Sequence, residues 1–238
     1  MQDVIRIYPD PGMTVSACAA FIVRKIEEIL VTNEFVSIGL SGGSSPNMLF
    51  SLLVEEYRDK VAWNKLKFFW VDERCVAPDD PESNYGVAKK LLLDPLLIPH
   101  ENIFRIFGEN EPVAEVERYS KVLEKELGSE IRFDICLLGI GTDGHTASIF
   151  PPDIKIMESK KFVVNTVNPN TGQKRITITG RLINNCRTVI FLAYGKEKEE
   201  VLDGILNHKK REHFPAGLVF NARFGVFWYL DSAAYRLP

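Results

Sequence analysis

The chain has 238 residues, of which 45% are apolar and 26% charged, with a formal net charge of −3. That balance supports a packed core and excludes a disordered chain, and the mild acidity excludes bulk attraction to nucleic acid. No run reaches the ~18 consecutive apolar residues of a membrane helix, and Met1 to Arg6 offers neither the basic start nor the apolar core of a signal peptide.

In chain order, Thr14 reads as the cap of a helix whose apolar face carries Val15, Cys18, Ile22, Ile26 and Ile29. Phe35 to Leu40 reads as a strand, and Ser45-Pro46 opens a second helix with Leu49, Leu52 and Leu53 on one face. Leu66 to Val71 is the next strand, and Asn84 to Leu93 a helix ending before Asp94-Pro95. Val113 to Leu127 is helical and closed by Gly128, and Phe133 to Leu138 is a strand apolar on both faces. Phe162–Val167, Arg175–Thr179, Val189–Ala193 and Val226–Leu230 are further strands, with a helix over Lys196–Leu206. The alternation predicts a single α/β domain over residues 1–238, a doubly wound, mostly parallel, Rossmann-like sheet. Phe162 to Thr179 is the candidate for a small antiparallel addition. Cys18, Cys75, Cys136 and Cys186 are widely spaced without a CxxC pair, which argues for reduced thiols, a cytoplasmic protein and no structural zinc.

Three polar loops follow predicted strands, where such sheets build their sites. In Ser41-Gly42-Gly43-Ser44-Ser45-Pro46 the glycines admit a ligand to the backbone, and the helix start offers N–H groups to an anion. The same residues also suit a plain strand-to-helix turn. Asp72-Glu73-Arg74 sets three charges at the end of an apolar strand, a costly placement unless they pair or act. Arg74 suits a phosphate or a polarised carbonyl and Asp72 suits sugar hydroxyls, while a structural ion pair is the reading the trio alone favours. Ser83-Asn84 reads as a helix cap and nothing more. Gly139 to Ser148 is the most informative stretch: Asp143 and His145 sit two residues apart in a glycine-rich loop, a carboxylate beside a proton-transfer group. His100, His208 and His213 lack that setting and read as surface or packing residues. Arg175 and Lys196, taken singly, are ordinary exposed cations, and in a sugar-phosphate site they become phosphate ligands.

Together these loops resemble the 6-phosphogluconolactonase family. The resemblance rests on Leu40–Pro46, Trp70–Arg74 with Ser83-Asn84, Leu138–Pro151, Arg175-Ile176-Thr177, Gly195-Lys196 and Pro215-Ala216-Gly217, and runs over most of the chain. It implies hydrolysis of 6-phospho-D-glucono-1,5-lactone to 6-phospho-D-gluconate, the lactonase step of the oxidative pentose phosphate pathway. His145 would be the general base and acid, Asp143 its orienting partner, and Arg74 with backbone N–H groups the oxyanion stabiliser. Gly42, Gly43, Ser44, Arg74, Arg175 and Lys196 would form the phosphate pocket. The resemblance implies no metal and no organic cofactor. The expected partner is a small sugar-phosphate lactone, without nucleic acid or membrane, bound by a monomer or at most a weak dimer.

Two other functions remain open on sequence. Glucosamine-6-phosphate isomerases (deaminases) share the Asp-Gly-His loop, but theirs usually continues Ala-Phe-Asn-Glu-Pro, whereas Thr146-Ala147-Ser148 follows His145 here. A non-enzymatic sugar-phosphate sensor would need a DNA-binding segment, for which a chain starting directly on the α/β pattern leaves no room.

Overall fold

The computed structural model describes residues 3–207, 210–220 and 225–236. The chain runs β1 (Val4–Tyr8), α1 (Pro11–Leu30), β2 (Val36–Leu40), α2 (Ser44–Tyr57), β3 (Leu66–Trp70), β4 (Asp72–Arg74), α3 (Asn84–Ala88) and β5 (Ile103–Phe104). It continues with α4 (Pro112–Leu127), β6 (Ile135–Leu138), β7 (Val163–Val167), β8 (Lys174–Ile178), α5 (Gly180–Ile183), β9 (Thr188–Ala193), α6 (Glu199–Leu206) and β10 (Val226–Asp231). Among the described residues no helix is long and apolar enough to cross a membrane.

One sheet holds seven strands in the order β1-β10-β9-β6-β2-β3-β5, every pair parallel. The central strands β2, β6 and β9 are buried along their whole length, as apolar runs covered on both faces must be. Aromatic rings fill the layer: Phe191 stacks on Trp228 at 4.0 Å between centroids, and Phe69 meets Phe133 at 5.3 Å. Each such ring contributes roughly 1.5–3 kcal/mol of burial. From β2 the chain builds outward through β3 to β5, and then returns to β2's other side with β6. The strand order therefore reverses between β2 and β6, and a crevice opens at their carboxyl ends. At the amino ends Asp134 locks the two strands: its carboxylate accepts the Ser37 N–H (2.9 Å) and hydroxyl (2.8 Å).

The doubly wound sheet and its antiparallel addition match the sequence reading. The addition is larger than expected, because Asp72-Glu73-Arg74 is a strand rather than a loop and pairs antiparallel with β8 in a sheet ordered β4-β8-β7. Helix α1 starts three residues before Thr14. Asp10 is its cap, accepting the Met13 N–H at 2.8 Å, and Thr14 donates its hydroxyl back to the Asp10 carbonyl. Strand β1 escapes the sequence reading, since it is a half-covered edge strand without a clear apolar run. His100 and His213 are exposed, and His208 lies outside the described residues. The cysteines are free thiols, three of them buried.

Strand β3 carries the second polar loop's start, and its end is held by a side chain. The fully buried Tyr119 hydroxyl accepts the Trp70 N–H (3.0 Å) and donates to the Trp70 carbonyl (2.8 Å). Tyr119→Phe leaves both groups unpaired, so chemical denaturation should register a loss of about 1–3 kcal/mol. A loss below about 0.5 kcal/mol would show that the hydroxyl is dispensable to the strand end.

Candidate active site

The first loop leaves β2 and enters α2 through Gly43, whose φ of 110° is a conformation suited to glycine. No side chain caps this helix, so its opening N–H groups, at the positive end of the helix dipole, are left for an anion. Gly42 permits a close approach: a Cβ there would lie 1.8 Å from Asn84 Oδ1. Asn84 in turn donates to the Asp72 carbonyl at 3.0 Å, so the first and second loops are fitted together through this amide.

On β4, side chains alternate. Glu73 turns away from the cleft and is buried, accepting the N–H groups of Arg74 (2.8 Å), Asn84 (2.7 Å) and Tyr85 (2.8 Å) and the Ser83 hydroxyl (3.2 Å). Burial pushes its carboxyl up to about 7, against the pull of those donors. The contacts draw the segment after Arg74 back on itself and seat Asn84 beside Gly42. Ser83 does cap α3, accepting the Gly86 N–H at 3.0 Å. The charged trio is thus not an internal ion pair.

Asp72 and Arg74 turn towards the cleft. Arg74 stands opposite Arg175 in the β4–β8 ladder, and the Nε of each is buried without a hydrogen-bond partner. Like charges facing each other across two strands repel. Burial, and then the neighbouring Arg74 charge, lower the pKa of Arg175. An anion received between the two guanidiniums removes this cost. Asp72 is held by the Ser148 hydroxyl at 2.6 Å and more loosely by the Asn84 amide at 3.3 Å.

The third loop leaves β6. His145 Nδ1 lies 2.6 Å from Asp143 Oδ1, which also accepts the His145 backbone N–H at 3.1 Å. Burial acts to raise the Asp143 carboxyl, and the His145 hydrogen bond and charge outweigh it, holding the group below the usual carboxylate range. With Asp143 ionised, Nδ1 carries the proton and Nε2 is left as the basic nitrogen. The ring packs against Phe150 at 5.0 Å. Gly141 is required by proximity: a Cβ there would meet His145 Nδ1 at 2.1 Å and Asp143 Oδ1 at 2.5 Å. Ala147 takes a left-handed φ of 49°, unusual for a residue with a Cβ, and lies between His145 and Ser148 on the cleft wall.

The three loops enclose one cleft of about 340 Å³. Gly42, Gly43, Ser44, Asp72, Arg74, His145 and Arg175 all line it, and Asp143 stands behind His145. Lys196 does not: it is exposed, and Lys198, two residues on, reaches the cleft instead. Residues 196–198 form a 3-10 turn that directs the two lysines differently. Sequence reasoning also passed over Asn84, Ser148 and Asn168 as cleft residues. Ser148 lay within the most informative loop, whereas Asn168, at the tip between β7 and β8, carried no signal.

The family model described as glucosamine-6-phosphate isomerases/6-phosphogluconolactonase matches residues 9–228. The chain is 42% identical to a 6-phosphogluconolactonase of Haemophilus influenzae over 86% of this chain and 88% of that one. It is 37% identical to a human 6-phosphogluconolactonase, covering 84% and 80% of the two chains. Among solved structures, the 6-phosphogluconolactonase of Trypanosoma cruzi superposes with a TM-score of 0.88 at 33% identity, over 98% of this chain and 96% of that one.

Because Gly141 touches both members of the Asp143–His145 pair, Gly141→Ala should separate them without touching the cations. NMR of the His145 ring should then show loss of the deshielded Nδ1 proton, while inorganic phosphate binding persists. An unchanged ring signal would mean that the loop absorbs the methyl group.

Proposed function

The chain belongs to the glucosamine-6-phosphate isomerase/6-phosphogluconolactonase family, and within it we propose that this protein hydrolyses 6-phospho-D-glucono-1,5-lactone to 6-phospho-D-gluconate. The observation that carries the reading is the shared cleft: the Asp143–His145 pair opens onto the same cavity as the Arg74–Arg175 pair, Lys198 and the uncapped start of α2. A phosphorylated ester needs a base at one end and cations at the other. No glutamate lines the cleft among the described residues, so the loop lacks the carboxylate associated with the isomerases.

In this reading, His145 Nε2 removes a proton from water as the oxygen attacks the lactone carbonyl carbon. The C=O electron pair moves onto oxygen, giving a tetrahedral oxyanion. Collapse reforms the carbonyl and breaks the bond to the ring oxygen, which takes the proton from His145. The acid then loses its proton to solvent. Asp143 holds the ring and favours its charged form between the two transfers. Backbone N–H groups of the cleft loops are the candidates for the oxyanion, a role worth about 3–4 kcal/mol per donor. Gly43, Ser44, Arg74, Arg175 and Lys198 receive the phosphate, and Asp72 accepts from ring hydroxyls. The same reading takes the chain as one catalytic unit, a cytoplasmic monomer or at most a weak dimer acting on a small molecule, without nucleic acid, membrane, metal or organic cofactor.

Assayed with freshly generated lactone, and corrected for spontaneous opening, His145→Ala should lose about 10² to 10⁴ in kcat while still binding 6-phosphogluconate. Turnover near that of the wild type would remove His145 from the mechanism. Release of ammonia from glucosamine-6-phosphate would assign the chain to the isomerases instead.

The two lysines separate by position. Lys198→Ala should raise KM by about 10- to 100-fold, the scale of a lost charged hydrogen bond, whereas Lys196→Ala should leave KM unchanged. The reverse pattern would move the phosphate towards Lys196.

A further inference from the structure

Asp72 is the one carboxylate among the described residues lining the cleft, and its residue is only 4% exposed. Its two side-chain donors, Ser148 and Asn84, are uncharged. An ionised carboxylate has room for about four donors, so acceptor capacity remains, and little of it is open to bulk water. On a phosphorylated sugar lactone the phosphate dianion and the ester only accept hydrogen bonds. The ring hydroxyls are the groups that donate, and they alone match Asp72.

How firmly Asp72 can read a hydroxyl depends on what fixes its orientation. The short bond is to Ser148 at 2.6 Å. Ser148 is itself pinned, its backbone N–H donating to Thr177 Oγ1 at 3.1 Å. Thr177 is the residue opposite Asp72 in the β4–β8 ladder. Ser148 is thus a buried bracket across the two strands: its hydroxyl donates to Asp72 on β4, and its N–H donates to the Thr177 hydroxyl on β8, which in turn donates to the Ile178 carbonyl. The nearest charges on that sheet face are Arg74, whose Nη1 donates to the Glu82 carbonyl, and Arg175, on which the Asp72 charge already acts without a hydrogen bond; the Nε of each has no partner. A carboxylate released from the bracket has two guanidiniums to turn towards, and that turn would both abandon the hydroxyl and occupy the cations.

We propose that Ser148 is a positioning residue: it holds Asp72 away from the arginine pair and aimed at a ring hydroxyl, and so sets the protein's selectivity for hydroxylated over deoxygenated sugar lactones. The proposal rests on the lactonase reading. It gives the third loop a second task, since the loop that supplies the base also orients the group that recognises the ring.

The test compares kcat/KM for the parent lactone with that for its 2-deoxy, 3-deoxy and 4-deoxy counterparts, in the wild type and in Ser148→Ala, Ser148→Cys and Asp72→Asn. The wild type should favour the parent over at least one deoxy lactone by about 10- to 100-fold. In Ser148→Ala that preference should shrink towards unity, with KM for the parent rising more than kcat falls. Ser148→Cys keeps the shape but donates weakly, so it should lose the preference too, whereas a packing role would leave it intact. Asp72→Asn should lose the preference as well. Thermal melting checks that each variant is folded, and the cysteine variant serves where the alanine variant is not. A wild type that accepts every deoxy lactone equally, or serine variants that retain full preference, would overturn the proposal. A wild type that turns over no lactone at all would remove the lactonase reading and this inference with it.

Discussion

The reversal of strand order between β2 and β6 is the constraint on which the rest of the structure depends. Parallel neighbours normally send their connections across the same face, which closes the space above them. Where the order reverses, the connections part and leave a crevice at the carboxyl ends. Here the two loops at that crevice are the glycine-rich turn into α2 and the loop bearing His145. The Ser37–Asp134 contacts at the opposite ends hold the two strands in register, so the distance between the loops is set by buried hydrogen bonds.

A second constraint comes from charge. The small antiparallel sheet supplies one wall of the cleft and brings Arg74 and Arg175 face to face. The repulsion weakens the fold, and the charges of Asp72, Glu82 and Glu73 offset it only in part, since Arg175 is still shifted down. The arrangement is understandable where binding of an anion recovers the cost. His145 belongs to a different wall, with its own carboxylate behind it. Segregating the base from the arginine pair keeps the Asp143 charge directed at the imidazole.

Much of this was legible in the sequence, and the omissions share a cause. Asp143, Gly144 and His145 are adjacent in the chain, so their chemistry could be read from a single loop. Glycines at 42 and 43 announced a close approach, although not that Asn84 was the group approaching. Ser148 and Asp72 lie far apart in sequence and meet only through the pairing of β4 with β8. Asn84 looked like part of a helix cap because Ser83 is one, yet its amide turns to the cleft. Lys196 and Lys198 occupy one short turn, and which of them faces inward depends on backbone geometry that residue type does not encode.

The account stands on a single spatial claim, that one ligand spans the cleft with its reacting carbon at His145 and its phosphate at the arginine pair. A crystal structure with 6-phosphogluconate bound tests this most directly. The account predicts the product carboxylate within hydrogen-bond reach of His145 Nε2 and the phosphate between Arg74, Arg175, Lys198 and the start of α2. A phosphate seated against His145, or a ligand bound outside this cleft, would contradict it.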